Sequence, residues 1–458
     1  MKLNAQIGLF YGESFYDISL VLQEDKKLIY HDRFYSARFS LKSQISKIMN
    51  QFPEISINKV TISSRFVEKI FGYKLGGTVA QVVTQGFDKW LALHQKNHFE
   101  NSFKIEIAPD LSADDMIFTI DEKIDSNGFV EKALQEKDLK SLILKLKQVQ
   151  AKRVCLHLLN SNKNKVHSDF IKTQLLENKF EVFDPNDLVG CQAEESDFPL
   201  WRLNLLEAST SGTFCELKDN IIEALSPYVA AENIYFLNHF LKRHQGEVGQ
   251  RISTLFSFEH AFFSTLTQKG LIPQKSELFH FGVENFSFFS SEINNWESPW
   301  GETCLKCFHR KDLKIQPTNS FYLNSFEEID ITKSEESFEP GPMSLERGRI
   351  PCVYDILNSE NLSKELLKKL QDSFWALVRS SKTEHSEAHT LDEFRTTILE
   401  RISWEIQLIT KNENIVIYGL WAEKFFDFIK KKIPHKNVIL IKESELPKSY
   451  ILALSEIV

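Results

Sequence analysis

Between residues 133 and 182 the chain changes hydrophobic period repeatedly, and this constrains the fold more than any other part of the sequence. Residues 137–150 carry Leu139, Leu142 and Leu146 at helical spacing. An apolar run at 154–159 reads as a buried strand. A polar loop at 160–165, a helix at 167–177 and a strand at 180–183 follow. Alternation of this kind predicts an α/β fold. A second such unit closes the chain, with strands at 415–418 and 438–441 around a helix at 422–432. At about 150 residues per domain, 458 residues suggest two or three domains.

The N-terminus reads as a hairpin. A strand at 6–10 and a turn at 11–14 lead into a strand at 15–23, with Tyr16, Ile18 and Leu20 on one face. A third strand is expected at 28–34, a helix at 40–50 through Leu41, Ile45 and Ile48, and a strand at 60–64. A helix at 65–71, a strand at 79–83 and a helix at 87–94 complete this part. The polar stretch 184–197, with Pro185 and Pro199 in or beside it, reads as a boundary. Beyond it, helices are expected at 204–225 and 253–265. An aromatic strand pair at 278–281 and 286–290 repeats the N-terminal hairpin around the turn Gly282-Val283-Glu284-Asn285. Helices at 363–379 and 391–408 follow, and polar linkers are expected at 334–339 and 380–389.

Composition excludes several functions. Hydrophobic residues make up 42% and charged residues 26%, a balance suited to a packed core. The 55 Lys plus Arg against 63 Asp plus Glu leave a net charge of −8, whereas a nucleic-acid binder shows a basic excess. The run Lys430-Lys431-Lys432 reads as a solvated helix end. No apolar stretch reaches the ~18 residues of a membrane span, and the start lacks a signal-peptide core. Six scattered cysteines do not form a disulfide framework, so a cytoplasmic protein without membrane or nucleic-acid partners is expected.

The order of motifs resembles the hydantoinase A / 5-oxoprolinase family, whose relatives include acetone and acetophenone carboxylase. The family opening G-V-D-V-G-G-T-F-T-D is similar to residues 8–17, G-L-F-Y-G-E-S-F-Y-D. Residues 62–77 occupy the place of its H-G-T-T segment, and Thr84-Gln85-Gly86-Phe87 matches T-x-G-F. Glu339-Pro340-Gly341-Pro342 through Gly348, then Pro351-Cys352-Val353-Tyr354-Asp355, resembles D-P-G-P…P-T-V-T-D. Residues 418–423 resemble the closing F-G-G-A-G-P. The resemblance covers 1–358 and 410–458. It implies a duplicated, two-lobed actin-like or sugar kinase-like ATPase core with a cleft between lobes. The lobes would be 1–190 and 191–458, with the family's C-terminal region absent.

In that family, two glycine hairpins wrap ATP phosphates and an Asp at each helps to hold Mg²⁺. Such loops need glycine for close backbone approach and carboxylates for the metal. Here Phe10 replaces the first Asp and Glu13 a glycine; Gly12, Ser14 and Asp17 remain. In the second hairpin His280 replaces the Asp, Val283 the second glycine and Glu284 the Thr, while Gly282 remains. Each new acid repels triphosphate by about 4 kcal/mol at ~4 Å and an effective dielectric of about 20. Gly419 survives in the turn that admits adenosine, but Leu420 and Trp421 add bulk there. The resemblance therefore implies a kept fold with an eroded ATP site. Gly12, Glu13, Ser14, Gly282, Glu284 and Gly419 become vestigial nucleotide contacts, and Asp17 and Asp355 the remaining catalytic-type carboxylates. Gly86, Gly128, Asn164, His167 and Pro340-Gly341-Pro342 match the family as turn and helix-start residues.

Cys304, Cys307 and His309 form the best metal-like cluster, but zinc takes four ligands and no second pair stands at standard spacing. His157 reads as a core histidine on an apolar strand. Arg65 and Arg347-Gly348-Arg349 could meet an anion. The expectation is a non-catalytic or regulatory subunit, paired with a B-type hydantoinase subunit or with itself. One alternative is an active ATP-dependent hydrolase of cyclic amides, or a ketone carboxylase subunit, using ATP and Mg. Another is a small-ligand binder that uses the aromatics at 279–289.

Overall fold

The computed structural model describes residues 3–12, 15–65, 76–93, 98–101, 104–106, 113–188, 196–298, 300–323, 329–332, 342–345, 351–380 and 391–455. Glu13, Ser14, Pro340, Gly341, Arg347, Gly348 and Arg349 lie outside them, as do the linker at 334–339, residues 66–71 of the helix expected at 65–71 and residues 381–389 of the linker expected at 380–389. The chain forms two compact units. Unit 1 comprises Met1–Thr265, Ile293–Phe308 and Lys448–Val458, and unit 2 Leu266–Glu292 and His309–Pro447.

Unit 1 begins with an antiparallel meander of β1 (Leu3–Tyr11), β2 (Phe15–Leu22) and β3 (Leu28–Tyr35). Alternate residues Tyr16, Ile18 and Leu20 enter one core with Phe34, as the period of two requires. Residues 5–10 and 16–21 are buried throughout, so β1 and β2 are covered on both faces. Helix α1 (Leu41–Gln51) starts at Ser40, whose side chain accepts the Ser43 N–H, and it buries Ile45, Ile48 and Met49. The crossover lets β4 (Ile55–Ser64) pair parallel to β1.

The second sheet of unit 1 is parallel, in the order β8-β7-β5-β6. Its strands are β5 (Ala80–Thr84), β6 (Ile117–Ile120), β7 (Arg153–His157) and β8 (Glu181–Phe183). Helix α2 (Glu136–Gln148) buries Leu139, Leu142, Ile143 and Leu146, and α3 (Val166–Glu177) buries Ile171 and Leu175. The alternation read from residues 133–182 is therefore what the chain forms.

Helix α4 (Asp197–Leu225) runs for 29 residues and starts before the expected position 204. Pro199 sits in its first turn, where a missing N–H costs nothing. Trp201, Leu205 and Ala208 pack with β5 and β7, while Leu203, Leu206, Phe214, Leu217 and Ile221 enter the core of the first sheet. One helix thus serves both cores, which is why the units divide after Thr265 and not at the polar stretch before Asp197. Strand β9 (Ile234–Leu237) then joins β4 in parallel, and β10 (Arg243–His244) turns back on it. The helix expected at 253–265 is a 3-10 turn at Ile252–Thr254 and then α5 (Ser257–Gln268), separated by Phe256 at φ +62°.

The main sheet of unit 2 has the order β13-β12-β11-β14-β15. Strands β11 (Ser276–Phe281), β12 (Phe286–Ser298) and β13 (Gly301–Asp312) are followed by helices α6 (Val353–Leu357), α7 (Lys364–Ser380) and α8 (Leu391–Ile409). Strand β14 (Asn414–Tyr418), helix α9 (Ala422–Lys432) and strand β15 (Asn437–Ile441) complete the sheet, with β14 parallel to β11. A meander followed by parallel strands beside its first strand is also the plan of β3-β2-β1-β4-β9, so one topology occurs twice. The hairpins match in detail. Tyr11 pairs Tyr16 and Gly12 N–H donates to Phe15 C=O at 2.9 Å; Phe281 pairs Phe286 and Gly282 N–H donates to Asn285 C=O at 3.0 Å.

Helix α10 (Lys448–Leu454) belongs to unit 1 and lies on β1. A Cβ on Gly8 would come within 1.8 Å of the Ser449 carbonyl oxygen, so only glycine allows this contact. The Ser19 and Ser449 hydroxyls meet at 2.7 Å beside it. Gly8→Ala should cost about 3 kcal/mol through backbone displacement, and Ser449→Ala about 1 kcal/mol through the lost hydroxyl contacts with Ser19 and His31. Urea denaturation of both variants checks the order; a Gly8→Ala protein as stable as the parent would contradict the contact.

Candidate functional site

The first hairpin places four residues in one row across the sheet. Arg33 pairs Asp17, Asp17 pairs Phe10, and Phe10 pairs Ser63, so all four side chains share a face. Phe10 is 3% exposed and meets Phe258 edge-on at 5.2 Å. The Lys448 ammonium, brought by α10, lies 4.6 Å from the Phe10 ring centre and 5.8 Å from that of Phe258. Asp17 is buried and takes Arg33 in a two-pronged pair, Nε to Oδ1 at 2.5 Å and Nη2 to Oδ2 at 2.9 Å. Burial pushes its carboxyl up, but Arg33, helped by Lys448 and His31, outweighs burial and holds it below the usual range.

Strand β4 ends in Ser63 and Ser64, followed by Arg65. Ser63 shares a hydrogen bond with Ser257 at 2.7 Å, and the Ser64 hydroxyl donates to Tyr11 C=O at 3.1 Å. Arg65 pairs with Glu259 at 2.8 Å, both buried, so it is a structural ion pair. Gly12 is buried at the turn.

In unit 2, His280 occupies the register point that Phe10 holds in the first hairpin, opposite Ser287. Its ring folds under the turn: a Cβ on Gly282 would stand 2.3 Å from His280 Cε1. Val283 is buried and Glu284 half-buried. Gly419 has φ +114°, and a Cβ there would meet the Phe281 carbonyl oxygen at 2.5 Å. Leu420 is 45% exposed, whereas Trp421 is buried edge-on to Tyr354 at 5.7 Å. Only Trp421 therefore fills the interior beside this turn. The aromatics of the hairpin are core. Phe281 stacks on Phe425 at 4.2 Å and Phe279 packs on Phe288 at 5.1 Å, which leaves no exposed ring for a flat ligand.

Asp355 is fully buried and accepts from five donors: the Met343, Ser344 and Cys352 N–H groups, the Ser344 hydroxyl and the Cys352 thiol. It caps α6 and holds the segment at 342–345, so it has no lone pair left over for chemistry. Burial, and then the neighbouring Asp355, raise the Cys352 thiol. Cys304 and Cys307 pack into the core of unit 1, while His309 belongs to unit 2, 6.4 Å from Phe288. Among the described residues no three Cys, His, Asp or Glu side chains could hold a metal together.

Gly128, Asn164 and His167 are held by local hydrogen bonds. Asn164 Nδ2 donates to Gly128 C=O at 2.7 Å, Asp125 Oδ1 accepts from Asn127 and Phe129, and His167 Nδ1 meets Glu122 at 2.7 Å. Sequence reasoning missed Lys448 and Glu207. Glu207 is buried and accepts the N–H groups of Gly249, Arg251 and Ile252. Its signal was an acid inside the apolar run Leu205-Leu206-Glu207-Ala208.

No protein-family model and no curated protein matches this chain. Among the solved structures that resemble it are two that match over nearly the whole chain. One is acetone carboxylase in a nucleotide-free structure, from work on ATP-dependent acetone carboxylation. It has 12% identity and a TM-score of 0.73, over 94% of this chain and 67% of that one. The other is the ATP-dependent caprolactamase from Pseudomonas jessenii, with 12% identity and a TM-score of 0.75, over 99% of this chain and 71% of that one. The fold is shared. At this identity the likeness concerns the fold alone. No helix among the described residues is long and apolar enough to cross a membrane.

Two pH effects follow. His157, His239, His244 and His260 are held neutral by burial, at about 3, 4, 4 and 3. Their folded values lie below the unfolded value of about 6.5, so the unfolded chain gains protons first as pH falls. Each should cost about 1.4 kcal/mol of stability between pH 7.5 and 5.5. A urea midpoint that rises over that interval would contradict this. Asp17, also lowered, contributes fully above about pH 4 and loses its contribution as pH falls through its folded value. Asp17→Asn should therefore cost about 3 kcal/mol at pH 7, and progressively less as pH falls below about 4.

Proposed function

We propose that this chain is a hydantoinase A / 5-oxoprolinase-like protein whose phosphate hairpins no longer serve Mg-ATP, and that it acts as a non-catalytic or regulatory subunit. The fold shared with acetone carboxylase and the ATP-dependent caprolactamase supports the family reading. One observation carries the loss of ATP chemistry. The position that should offer a carboxylate to magnesium is Phe10, and an ammonium already lies over its ring.

The residues present do not fit a magnesium ion. Both oxygens of Asp17 are engaged by Arg33, and Lys448 adds a positive charge to the same row. Magnesium needs carboxylate or phosphate oxygens around its retained waters, and a fixed ammonium competes for them. The second hairpin has an imidazole where the other carboxylate would stand. Its oxygen inventory is no better.

The partner consistent with this role is a B-type hydantoinase subunit or a second copy of the chain. Calorimetric titration with Mg-ATP and Mg-ADP, with a phosphate-release assay, tests the reading. We expect no saturable heat and no turnover. Tight binding with turnover would make the chain an active ATP-dependent hydrolase of cyclic amides or a carboxylase subunit, and would overturn the proposal. Phe10→Asp alone should also leave Mg-ATP unbound, because Lys448 would pair with the new carboxylate.

A further inference from the structure

The parallel sheet of unit 1 has a feature that the hairpins do not use. The chain passes from β5 to one neighbour, β6, and then returns to β5's other side for β7, in the order β8-β7-β5-β6. The reversal falls between β5 and β7. In open α/β sheets, ligands bind outside the carboxyl ends of the strands at such a reversal.

The residues at that edge are suited to a small molecule. After β5, Gly86 turns at φ +93°, and a Cβ placed there would meet nothing within 4 Å, so the space beside it is open. Phe87 and Phe198 follow β5 and open α4; both are half-buried, with ring centres 6.3 Å apart. Trp201 lies behind them, fully buried, 6.1 Å from Phe87 and 5.4 Å from Phe198. Its indole Nε1 has no acceptor among the described residues. The same holds for Nε2 of Gln81, buried on β5, whose Oε1 takes the Trp90 indole N–H at 3.1 Å. Buried donors without partners require an explanation, and a ligand acceptor is one. At the mouth stands Asp197. Its Oδ2 accepts the Asn160 N–H at 3.0 Å, and its other oxygen has no hydrogen-bond partner among the described residues.

These groups define a ligand chemistry. Aromatic faces favour a flat ring, and the Asp197 oxygen accepts an N–H and repels an anion. The Trp201 indole, packed against both phenyl rings, is a reporter for a ring seated on them. We propose that the carboxyl ends of β5 and β7 form a small-molecule site for a flat, uncharged nitrogen compound, seated against Phe87 and Phe198 with an N–H donated to Asp197. Partial burial raises the Asp197 carboxyl, an effect opposed by the Asn160 N–H and then by Lys163, which suits a neutral partner better than a second charge. The site lies within unit 1 and does not depend on the reading of the ATP hairpins.

The test uses the full chain labelled with ¹⁵N-tryptophan, with the Trp201 indole resonance assigned through Trp201→Phe. Adenine and nicotinamide are titrated as neutral N–H-bearing rings, and benzoate as a flat anion. A saturable shift of the Trp201 resonance with adenine or nicotinamide, and none with benzoate, is expected. Asp197→Ala and Phe198→Ala should each weaken it at least about tenfold, the loss of one charge-assisted hydrogen bond or one stacking face. A Trp201 resonance unmoved by both rings would overturn the proposal. So would one that moves equally with benzoate, or equally in the two folded variants.

Discussion

The contact of α10 with β1 at Gly8 governs what the first hairpin can do. It brings the Ser449 carbonyl against the strand where any side chain would block it, and so seats Lys448 over Phe10 and Phe258. The ammonium then faces Asp17, which Arg33 already neutralises from β3. Charge, aromatic surface and hydroxyls in this row satisfy one another inside unit 1. A buried carboxylate with two donors and a nearby cation has little reason to recruit a divalent metal.

The two hairpins make the same point with different chemistry. Their registers coincide, and each glycine N–H closes its turn in the same way. Backbone geometry therefore coincides in the two hairpins while the side chains they carry differ. Phe10 turns one position apolar, and His280 fills the space beneath Gly282 at the other. Asp355 shows how a motif residue serves the backbone, since all five of its donors come from the local chain.

Much of this was legible in the sequence because it depends on local period. The helix–strand alternation at 133–182 and the turn around Gly282 follow from spacing and from turn chemistry. The start of α4 was not legible, because Pro199 reads as punctuation although it is harmless in a first turn. Phe256 breaks a helical pattern by adopting a left-handed conformation that no residue type announces. Least legible was the content of the candidate site. Contacts such as Ser19 with Ser449 join residues 430 apart in the chain, and no motif records which distant lysine will sit over Phe10.

In the proposed reading the first hairpin carries its own cation and has no place for a divalent one. Electron paramagnetic resonance of Mn²⁺, as a magnesium surrogate, tests it most directly when the protein is titrated with the metal in the presence and absence of ATP. Protein without ATP should leave the free-ion signal intact, and adding protein to Mn-ATP should remove no further signal. Stoichiometric loss of the free signal, at one ion per chain and reversed by magnesium, would contradict it.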